Sequence, residues 1–561
     1  MLIEWIVIAA YLLGITTIGI VASKKVSTAS DFFISDRKFG KFMLTFFTFG
    51  TGTNTDQAVT VASKTYSVGA SGIWYQWLWL FATPVYWFLA PLFRRMRAVT
   101  TADYLNVRYG KSVALLFALV GMLQLSVNIG VVLKASSVMI TAVFGDVVSP
   151  DVVIFVMTAL FVAYGVAGGL NAAITTDLIQ GVMTVILSFL ILPFAFQLVG
   201  GMSGLRDTID NPDMFAVVAP GEITMLYVVI ITLNGIIGWV TSPYSMAMCG
   251  AGRSEFDSRV GLVCGMFLKR VCTIAWVLTG LIAIAIYTDA DADQVYGKLA
   301  RDILPGIAPG LIGLFVASTL AAVMSSCDTF MVSSAALFTE NIYKPYFAPD
   351  REDKHYILIG RIASIAVVVV GIYIAFQLNS VVQGLELFWI VQAMMGVAIW
   401  TSFFWRRATV MAAWASTLVG FAAWMFTSDI ALIGWSFNTH FASSLPDYML
   451  HQGTLSLPWQ MIIYLSLGVT TMIVVSYMSS APSAERLDRV FATLRTPVLP
   501  GEPEVEPMTL PSTTPAAPRT VLVQHPDFEI MKPSSTTIVG FLICCAGVAA
   551  LIFGFLWILQ I

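Results

Sequence analysis

Long apolar runs recur along almost the whole chain, and they restrict what it can fold into more than any other feature. A helix needs about 20 mainly apolar residues to cross the ~30 Å hydrocarbon core of a bilayer, and about fourteen runs of this kind occur. Of the 561 residues, 58% are hydrophobic and only 11% are charged, whereas charged residues make up about a quarter of an ordinary soluble domain. The sequence therefore predicts an all-α, multi-pass integral membrane protein.

The predicted spans cover residues 2–22, 41–64, 71–93, 113–144, 151–170, 172–200, 223–250, 259–288, 309–340, 356–378, 381–405, 408–430, 458–479 and 536–560. The segment Met1–Glu4 lacks a basic start and a small-residue cleavage site, so the first span is expected to be retained. Lysine and arginine concentrate in alternate loops, including residues 24–38, 94–111 and 344–354. Because cytoplasmic loops carry such residues, we expect both termini outside the cell, with the protein in the cell (plasma or inner) membrane.

Two predicted spans are interrupted in similar ways. Residues 49–55 read Phe-Gly-Thr-Gly-Thr-Asn-Thr, and residues 234–243 read Asn-Gly-Ile-Ile-Gly-Trp-Val-Thr-Ser-Pro. Either segment alone is compatible with a simple kink. As a pair five spans apart, they indicate an inverted repeat with discontinuous helices and a binding site near the middle of the membrane.

Ser325 and Ser326 lie together inside the apolar run from Leu311 to Phe338. In hydrocarbon, a polar side chain is expected to have a partner or to line a cavity. We interpret the pair as half of a sodium site. The alternative is that both hydroxyls bond to their own helix or hold two helices together.

Three motifs resemble those of the sodium:solute symporter family, which has a LeuT-type core of ten helices. They are Arg97–Gly110 after the third span, Tyr164–Gln180 across the fifth and sixth, and Ala322–Asp328 followed by Thr339–Lys344. The resemblance implies a 5+5 inverted repeat. It divides the chain into a peripheral first helix with a cytoplasmic loop (1–40), a ten-helix inverted-repeat transport core (41–405), two peripheral helices (406–479), a linker (480–535) and a C-terminal transmembrane helix (536–561).

The linker is the only long polar segment and is rich in Pro, Thr, Glu and Ser. Such a composition offers little apolar surface to bury, so we predict a disordered cytoplasmic tether. A regulatory role is the alternative.

Sodium ligands are implied by the same resemblance. They are the backbone oxygens of Gly50, Thr53 and Ala322 and the hydroxyls of Ser325 and Ser326. Neutral oxygens suit a hard cation when several converge, so Na⁺ is the expected coupling ion. The family pattern also places Asp177 on the exit path of the ion, although an acid near a membrane surface can simply reach solvent.

The solute pocket is expected beside the sodium site, between the two broken helices and the third, eighth and eleventh spans. Its polar candidates are Asp56, Gln57, Gln76, Lys134, Lys269 and Glu386. Gln57 and Lys269 match positions that contact sugar in the family's sugar carriers. Other sugar-contact positions depart from that pattern, namely Gly52, Trp79, Gly235 and Gly238. Lys134 is a candidate for holding a solute carboxylate, or alternatively a structural partner of Asp56 or Glu386.

These expectations define a sodium-coupled secondary active symporter that imports a small polar organic solute (a sugar, an organic acid or an amino-acid-like molecule) by alternating access. Its partners would be this solute, Na⁺ and membrane lipid; no basic stripe suggests nucleic acid. No metal-ligand cluster or nucleophile motif points to an enzyme. Two alternatives remain: a transporter-like sensor with residues 480–535 as its output arm, and a proton-coupled carrier of the same fold.

Overall fold

The structure is a computed structural model that describes residues 2–23, 32–33, 37–219, 222–430, 434–499, 501–503 and 505–560. Part of the predicted first cytoplasmic loop, including Lys24 and Lys25, lies outside the described residues. Within them the chain is mainly helical.

The α-helices in chain order are α1 (Leu2–Ser23), α2 (Lys41–Gly52), α3 (Thr55–Val68), α4 (Trp74–Trp77), α5 (Thr83–Arg95), α6 (Thr101–Arg108), α7 (Lys111–Phe144), α8 (Pro150–Phe189), α9 (Leu192–Val199), α10 (Gly201–Thr208), α11 (Met225–Trp239), α12 (Tyr244–Gly250), α13 (Glu255–Ile286), α14 (Val295–Ile303), α15 (Leu311–Phe338), α16 (Lys344–Tyr346), α17 (Asp353–Gln377), α18 (Val381–Ala393), α19 (Gly396–Phe404), α20 (Val410–Phe426), α21 (Phe437–Phe441), α22 (Leu457–Met478), α23 (Ala484–Arg495) and α24 (Ser535–Gln560). Short 3₁₀ turns cover Gly69–Ile73, Gly145–Val147, Pro212–Phe215, Ala292–Gln294, Leu304–Gly306, Ala442–Ser444 and Asp447–Met449, and a π turn covers Thr339–Tyr343. Two small antiparallel hairpins pair β1 (Asp429–Ile430) with β2 (Trp435–Ser436) and β3 (Leu450–His451) with β4 (Thr454–Leu455).

Every predicted span overlaps one or more of these helices. Among the described residues, nine helices are long and apolar enough to cross a membrane on their own. The pair α11 and α12 passes the same test together and is bent by 70°. The count of fourteen spans and the inverted repeat remain expectations from the sequence.

The first interruption is a true break in the helix. Thr53 and Asn54 are extended, with φ/ψ of −135°/112° and −141°/177°, so α2 ends at Gly52 and α3 begins at Thr55. Backbone carbonyls near such a helix end lose their partners within the helix. The second predicted interruption is the bend between Trp239 and Tyr244. Both predictions of discontinuous helices are confirmed.

Helix α13 supports the first break through close glycine contacts. A Cβ atom on Gly261 would overlap Leu44, and one on Gly265 would lie 2.7 Å from the Thr45 carbonyl oxygen. Further along, a Cβ on Gly280 would lie 2.6 Å from the Thr65 Cβ on α3. Small residues let membrane helices approach this closely, so α13 contacts both halves of the broken helix.

Helix α15, which carries the serine pair, is buried over most of its length. The Glu4 carboxylate of α1 accepts hydrogen bonds from the amides of Gly310, at 2.8 Å, and Gly313. These amides lie at the start of α15 and have no partner within the helix. Helix α8 packs beside α15 and kinks at Gly169, whose φ of 56° is one that glycine adopts without strain.

Within residues 480–535, of which the structure describes all but 500 and 504, part of the segment differs from the predicted disordered tether. The segment contains α23, whose Leu487, Val490 and Phe491 are buried. Further on, the Met508 amide donates to the Met96 carbonyl at 2.9 Å. Composition describes the segment alone, whereas in the fold some of its apolar residues are buried against the ends of membrane helices, and others, such as Leu522, stay exposed.

Ion pairs fasten this segment to the rest of the chain. Arg97, two residues after α5, pairs with Glu502, and both side chains are buried. Burial opposes the charge on Glu502, but the hydrogen bonds and charge of Arg97 outweigh it and lower the pKa of this carboxyl group. A second contact joins Arg406 to Glu529 at 2.7 Å.

Candidate functional site

The first helix break touches the serine pair directly. The Ser326 hydroxyl donates to the carbonyl oxygens of Gly50, at 3.1 Å, and Thr51, at 3.2 Å. The Gly50 carbonyl also accepts a bond from the Thr53 amide at 3.4 Å. Because both serines are fully buried, neither faces lipid. Two elements 276 positions apart in sequence therefore meet where α2 ends.

Asp177 joins the same cluster. Its carboxylate accepts a hydrogen bond from the Ser325 hydroxyl at 2.6 Å, and its side chain is fully buried. A Cβ atom added to Gly50 would overlap Ser325 Oγ and lie 3.4 Å from Asp177 Cγ. The alternative that Asp177 is an interfacial acid reaching for solvent is therefore wrong.

Of the five residues implied as sodium ligands, four lie together at the helix break, and the fifth is not linked to it by a described hydrogen bond. Gly50, Ser325 and Ser326 form one contact cluster, and Thr53 joins it through its backbone bond to Gly50. Ala322 is buried on α15 one turn before Ser326, and no described hydrogen bond links its oxygen to the break.

The atoms that would bind the ion have the chemistry of a hard-cation site. Every one of them is an oxygen, as Na⁺ requires. Within the described part of the chain, Thr53 Oγ1 and Asp177 Oδ2 are buried without a hydrogen-bond partner. Ser325 uses its single proton on Asp177, so its oxygen lone pairs remain free to accept. The residues present therefore fit a bound Na⁺.

Thr51 belongs to this cluster, although the sequence reasoning did not include it. Its carbonyl accepts from Ser326, and its hydroxyl lies 3.0 Å from that of Thr329 on α15. A signal for this residue was available, since it sits between the two glycines of the first interruption.

A cavity lies next to the cluster, between the two broken helices and helices α5, α13 and α18. It is lined by Thr51, Gly52, Asn54, Asp56, Gln57, Trp79, Tyr86, Asn128, Trp239, Tyr244, Met266, Lys269, Arg270, Phe330, Leu385, Phe388 and Gln392. The expected solute pocket was placed among the broken helices and the third, eighth and eleventh spans, and this cavity has that position.

Three of the predicted solute residues line the cavity: Asp56, Gln57 and Lys269. The Gly52 carbonyl accepts from Lys269 Nζ at 2.6 Å and from Gln57 Nε2 at 3.1 Å. The Lys269 ammonium also lies 5.3 Å from the centre of the Trp79 ring. The last carbonyl of α2 therefore contacts the cavity wall, while the carbonyls just before it contact Ser326.

The other three candidates lie elsewhere. Glu386 accepts from the Tyr75 hydroxyl at 2.7 Å and faces a separate pocket near Glu222 and His451. Gln76 is fully buried, and its backbone carbonyl accepts a hydrogen bond from Arg270 at 3.0 Å. Lys134 is half-buried on α7 and is absent from the cavity lining and from the described ion pairs. The structure therefore brings none of these three into the predicted pocket.

Arg270 is the main cavity residue that sequence reasoning missed. It is 1% exposed, and it follows Lys269 directly along α13. A second basic residue inside an apolar span is unusual enough to have been noticed. Tyr86, Tyr244 and Gln392 were also missed, and their sequence surroundings offer no comparable signal.

A discontinuous helix that meets buried hydroxyls beside a cavity with polar side chains is typical of carriers that couple an ion to a solute. Residues 32–420 match the model of the sodium:solute symporter family. The chain therefore belongs to this family of integral membrane transporters.

The relatives agree with this assignment. The chain is 24% identical to a sodium/glucose cotransporter of Vibrio parahaemolyticus, over 63% of this chain and 71% of the relative. It is 25% identical to the osmoregulated proline transporter OpuE of Bacillus subtilis, over 73% and 86%. With the high-affinity proline transporter PutP of the same organism the identity is 24%, over 84% and 97%.

Among solved structures, a Na⁺-coupled sialic acid symporter in a substrate-bound, outward-open state has a similar fold. The TM-score is 0.73 at 18% identity, and the match covers 86% of this chain and 98% of the symporter. At this identity, the likeness supports the fold alone.

Proposed function

We propose that this protein imports a small polar organic solute together with Na⁺, and that the ion binds where α2 ends against α15. The observation that carries the proposal is that three consecutive residues, 50 to 52, connect the proposed ion site with the wall of the cavity. Gly50 and Thr51 contact Ser326, while Gly52 contacts Lys269 and Gln57 in the cavity wall. An ion that orders the first two carbonyls also positions the third.

Binding of the two cargoes is then coupled. Na⁺ takes oxygens from Gly50, Ser325 and Ser326, and replaces the hydrogen bond from Ser326 to Gly50. The break becomes more ordered, so the solute binds a wall that is already arranged. Linkage requires the solute to raise the affinity for Na⁺ by the same factor.

Asp177 is proposed to act in release of the ion. Its carboxylate holds Ser325 at 2.6 Å and has one oxygen without a described partner. A cation that leaves the serine pair toward the cytoplasm passes this negative charge. Replacing Asp177 by Asn is expected to slow release while the serine oxygens remain in place.

Alternating access follows from the two discontinuous helices. We propose that rocking of the two halves of the 5+5 repeat exposes the cavity first outside and then inside, with both termini outside. Low Na⁺ in the cytoplasm then drives release of both cargoes.

The test uses the full-length protein reconstituted in proteoliposomes. Uptake of labelled glucose, proline, sialic acid and lactate is measured with an inward Na⁺ gradient, with an inward proton gradient and with neither. At least one solute should accumulate only with the Na⁺ gradient. At Na⁺ concentrations below saturation, Ser326→Ala should strongly reduce that accumulation, whereas Ser318→Ala, which changes an equally buried serine on the same helix, should retain it.

Two results would contradict the proposal. Accumulation that follows the proton gradient instead would identify a proton-coupled carrier. The second result is that no solute accumulates under either gradient, while binding of one of the solutes protects residues 480–535 from proteolysis. In that case the chain acts as a sensor.

A further inference from the structure

The charges on the cavity wall are not balanced. Arg270 and Lys269 on α13 and Asp56 on α3 all line the cavity, and they are 1%, 5% and 4% exposed. Arginine is protonated under all ordinary conditions, so two basic side chains face one carboxylate. The ion pairs formed by described residues include none between Asp56 and either base. An unpaired buried charge is costly, which favours a ligand that brings negative charge.

The hydrogen bonds of the two bases leave donors unused. Lys269 donates to the Gly52 carbonyl, and Arg270 donates through Nη1 to the Gln76 carbonyl at 3.0 Å. Counting only described partners, Arg270 Nε and Trp79 Nε1 are buried without an acceptor. A guanidinium offers five N–H donors in a fork that matches a carboxylate. The wall around Arg270 therefore needs an acceptor-rich group.

The side of the cavity formed by the first helix break has the reverse requirement. Asp56 Oδ1, Asn54 Oδ1 and Gln57 Oε1 are buried acceptors that lack a donor among the described residues. All three belong to the break or to the first turn of α3. A ligand that fills the cavity therefore needs both acceptors, for the basic residues, and donors, for these oxygens.

We infer that the solute is an organic carboxylate. Its carboxylate binds Arg270 and Lys269, and a hydroxyl or amino group on the same molecule donates to Asp56, Asn54 or Gln57. The rings of Phe330 and Phe388 enclose its carbon skeleton. This inference rests on the proposed function, since it describes the cargo of that symport.

The competing explanation is structural. Lys269 and Arg270 would then serve only to hold the carbonyls of Gly52 and Gln76, and the solute would be neutral, such as a sugar. The two explanations differ in what Arg270 contributes. A purely structural Arg270 affects stability with every solute equally, whereas a carboxylate-binding Arg270 affects binding of acids alone.

The experiment compares matched probes by thermal unfolding of the full-length protein in detergent, in Na⁺ and in K⁺. The probes are lactate with lactamide, proline with prolinamide, and glucose. Lactate and proline separate hydroxy acids from amino acids, and each amide removes only the carboxylate charge. At least one acid should raise the unfolding temperature in Na⁺ more than in K⁺, and its amide should not.

Arg270→Gln should weaken binding of that acid about tenfold or more, because a charge-assisted hydrogen bond contributes roughly 1.5–3 kcal/mol. Arg270→Lys keeps the charge but loses the fork, so it should weaken binding less. Stabilisation of Arg270→Gln by Na⁺ alone should remain, which shows that the variant is folded.

Three results would overturn the inference: stabilisation by glucose or an amide that equals that by the acids, unchanged binding of the acid by Arg270→Gln, or no stabilisation by either acid. In each case, Na⁺ should still stabilise the wild type if the proposed symport is correct. Failure of Na⁺ itself to stabilise the protein would instead contradict the proposed function.

Discussion

The two helix breaks of this protein are alike in sequence but differ in how their polar groups are satisfied. At the second break, the Thr241 hydroxyl donates to the carbonyls of Gly238 and Gln392, and the Gln392 amide donates to the Ser242 hydroxyl at 2.6 Å. At the first break, Thr53 Oγ1, Asn54 Oδ1 and Asp56 Oδ1 are buried without hydrogen-bond donors among the described residues.

The two breaks therefore differ in whether protein groups alone satisfy their polar atoms. The second contains its own donors and closes with protein contacts alone. The first has oxygens in excess on two adjoining sides, toward Ser326 and toward the cavity. Buried acceptors without a donor are costly, which favours binding of a cation and a donor-bearing solute at the first break. The hydrogen bonds at the second break give no such preference.

The largest effect on sodium binding is expected from Gly50→Ala. The new Cβ would overlap Ser325 Oγ, whereas the nearest atom to a Cβ on Gly52 would be the flexible end of Met266, at 3.2 Å. Overpacking of this kind costs about 1–3 kcal/mol, which corresponds to a roughly 5- to 150-fold rise in the Na⁺ concentration for half-maximal thermal stabilisation. Gly52→Ala is the control and should change it less than about threefold. Equal effects of the two variants would show that Ser325 does not take part.

A smaller effect is expected from Ser326→Ala, which removes one ligand without adding bulk. Loss of one such contact costs about 1–1.5 kcal/mol, so the half-saturating Na⁺ concentration should rise roughly tenfold. Ser318→Ala removes an equally buried hydroxyl of α15 that has no described partner. If both variants have the same half-saturating Na⁺ concentration as the wild type, the Ser326 hydroxyl does not bind the ion.

Exchange of Na⁺ for K⁺ should loosen one break and not the other. Local opening of residues 50–57 should become up to about tenfold more frequent when the bound ion is removed. Hydrogen exchange followed by mass spectrometry measures this, with residues 238–245 as the internal control. Equal changes at both breaks would indicate a general loss of stability instead of a specific site.

The smallest effect on sodium binding is expected from Thr241→Val. The change leaves the carbonyls of Gly238 and Gln392 without this donor, so the free energy of unfolding should fall by about 1–3 kcal/mol. The half-saturating Na⁺ concentration should stay the same. Thr232→Val is the matched control, because Thr232 Oγ1 is buried on α11 without a described partner. A large rise in that concentration for Thr241→Val would mean that the second break also serves the ion.

Several features of the site were predictable from the sequence because they depend on short stretches of chain. The break after Gly52 follows from glycines and hydroxyls inside an apolar run, and the burial of Ser325 and Ser326 follows from their place in another. The pocket position followed from the family resemblance. These signals are local, or belong to motifs with fixed spacing.

Other features required the folded chain. The contact of Asp177 with Ser325 joins positions 148 apart, and its distance from any membrane surface cannot be read from span boundaries. Gln76, Lys134 and Glu386 are polar like Lys269, but the fold places them outside the lining of the cavity. The burial of Leu487, Val490 and Phe491 in the segment after α22 depends on surfaces supplied by helices far away in sequence.

The sequence by itself determined the membrane class, the family and the two places where helices are broken, because helix length, apolar content and glycine placement act locally. Only the tertiary structure decided which break keeps oxygens to spare, which polar residues share a cavity, and that Arg270 stands among them. The physical reason is that satisfaction of a buried polar group depends on its partners across the fold, and those partners are set by packing between helices.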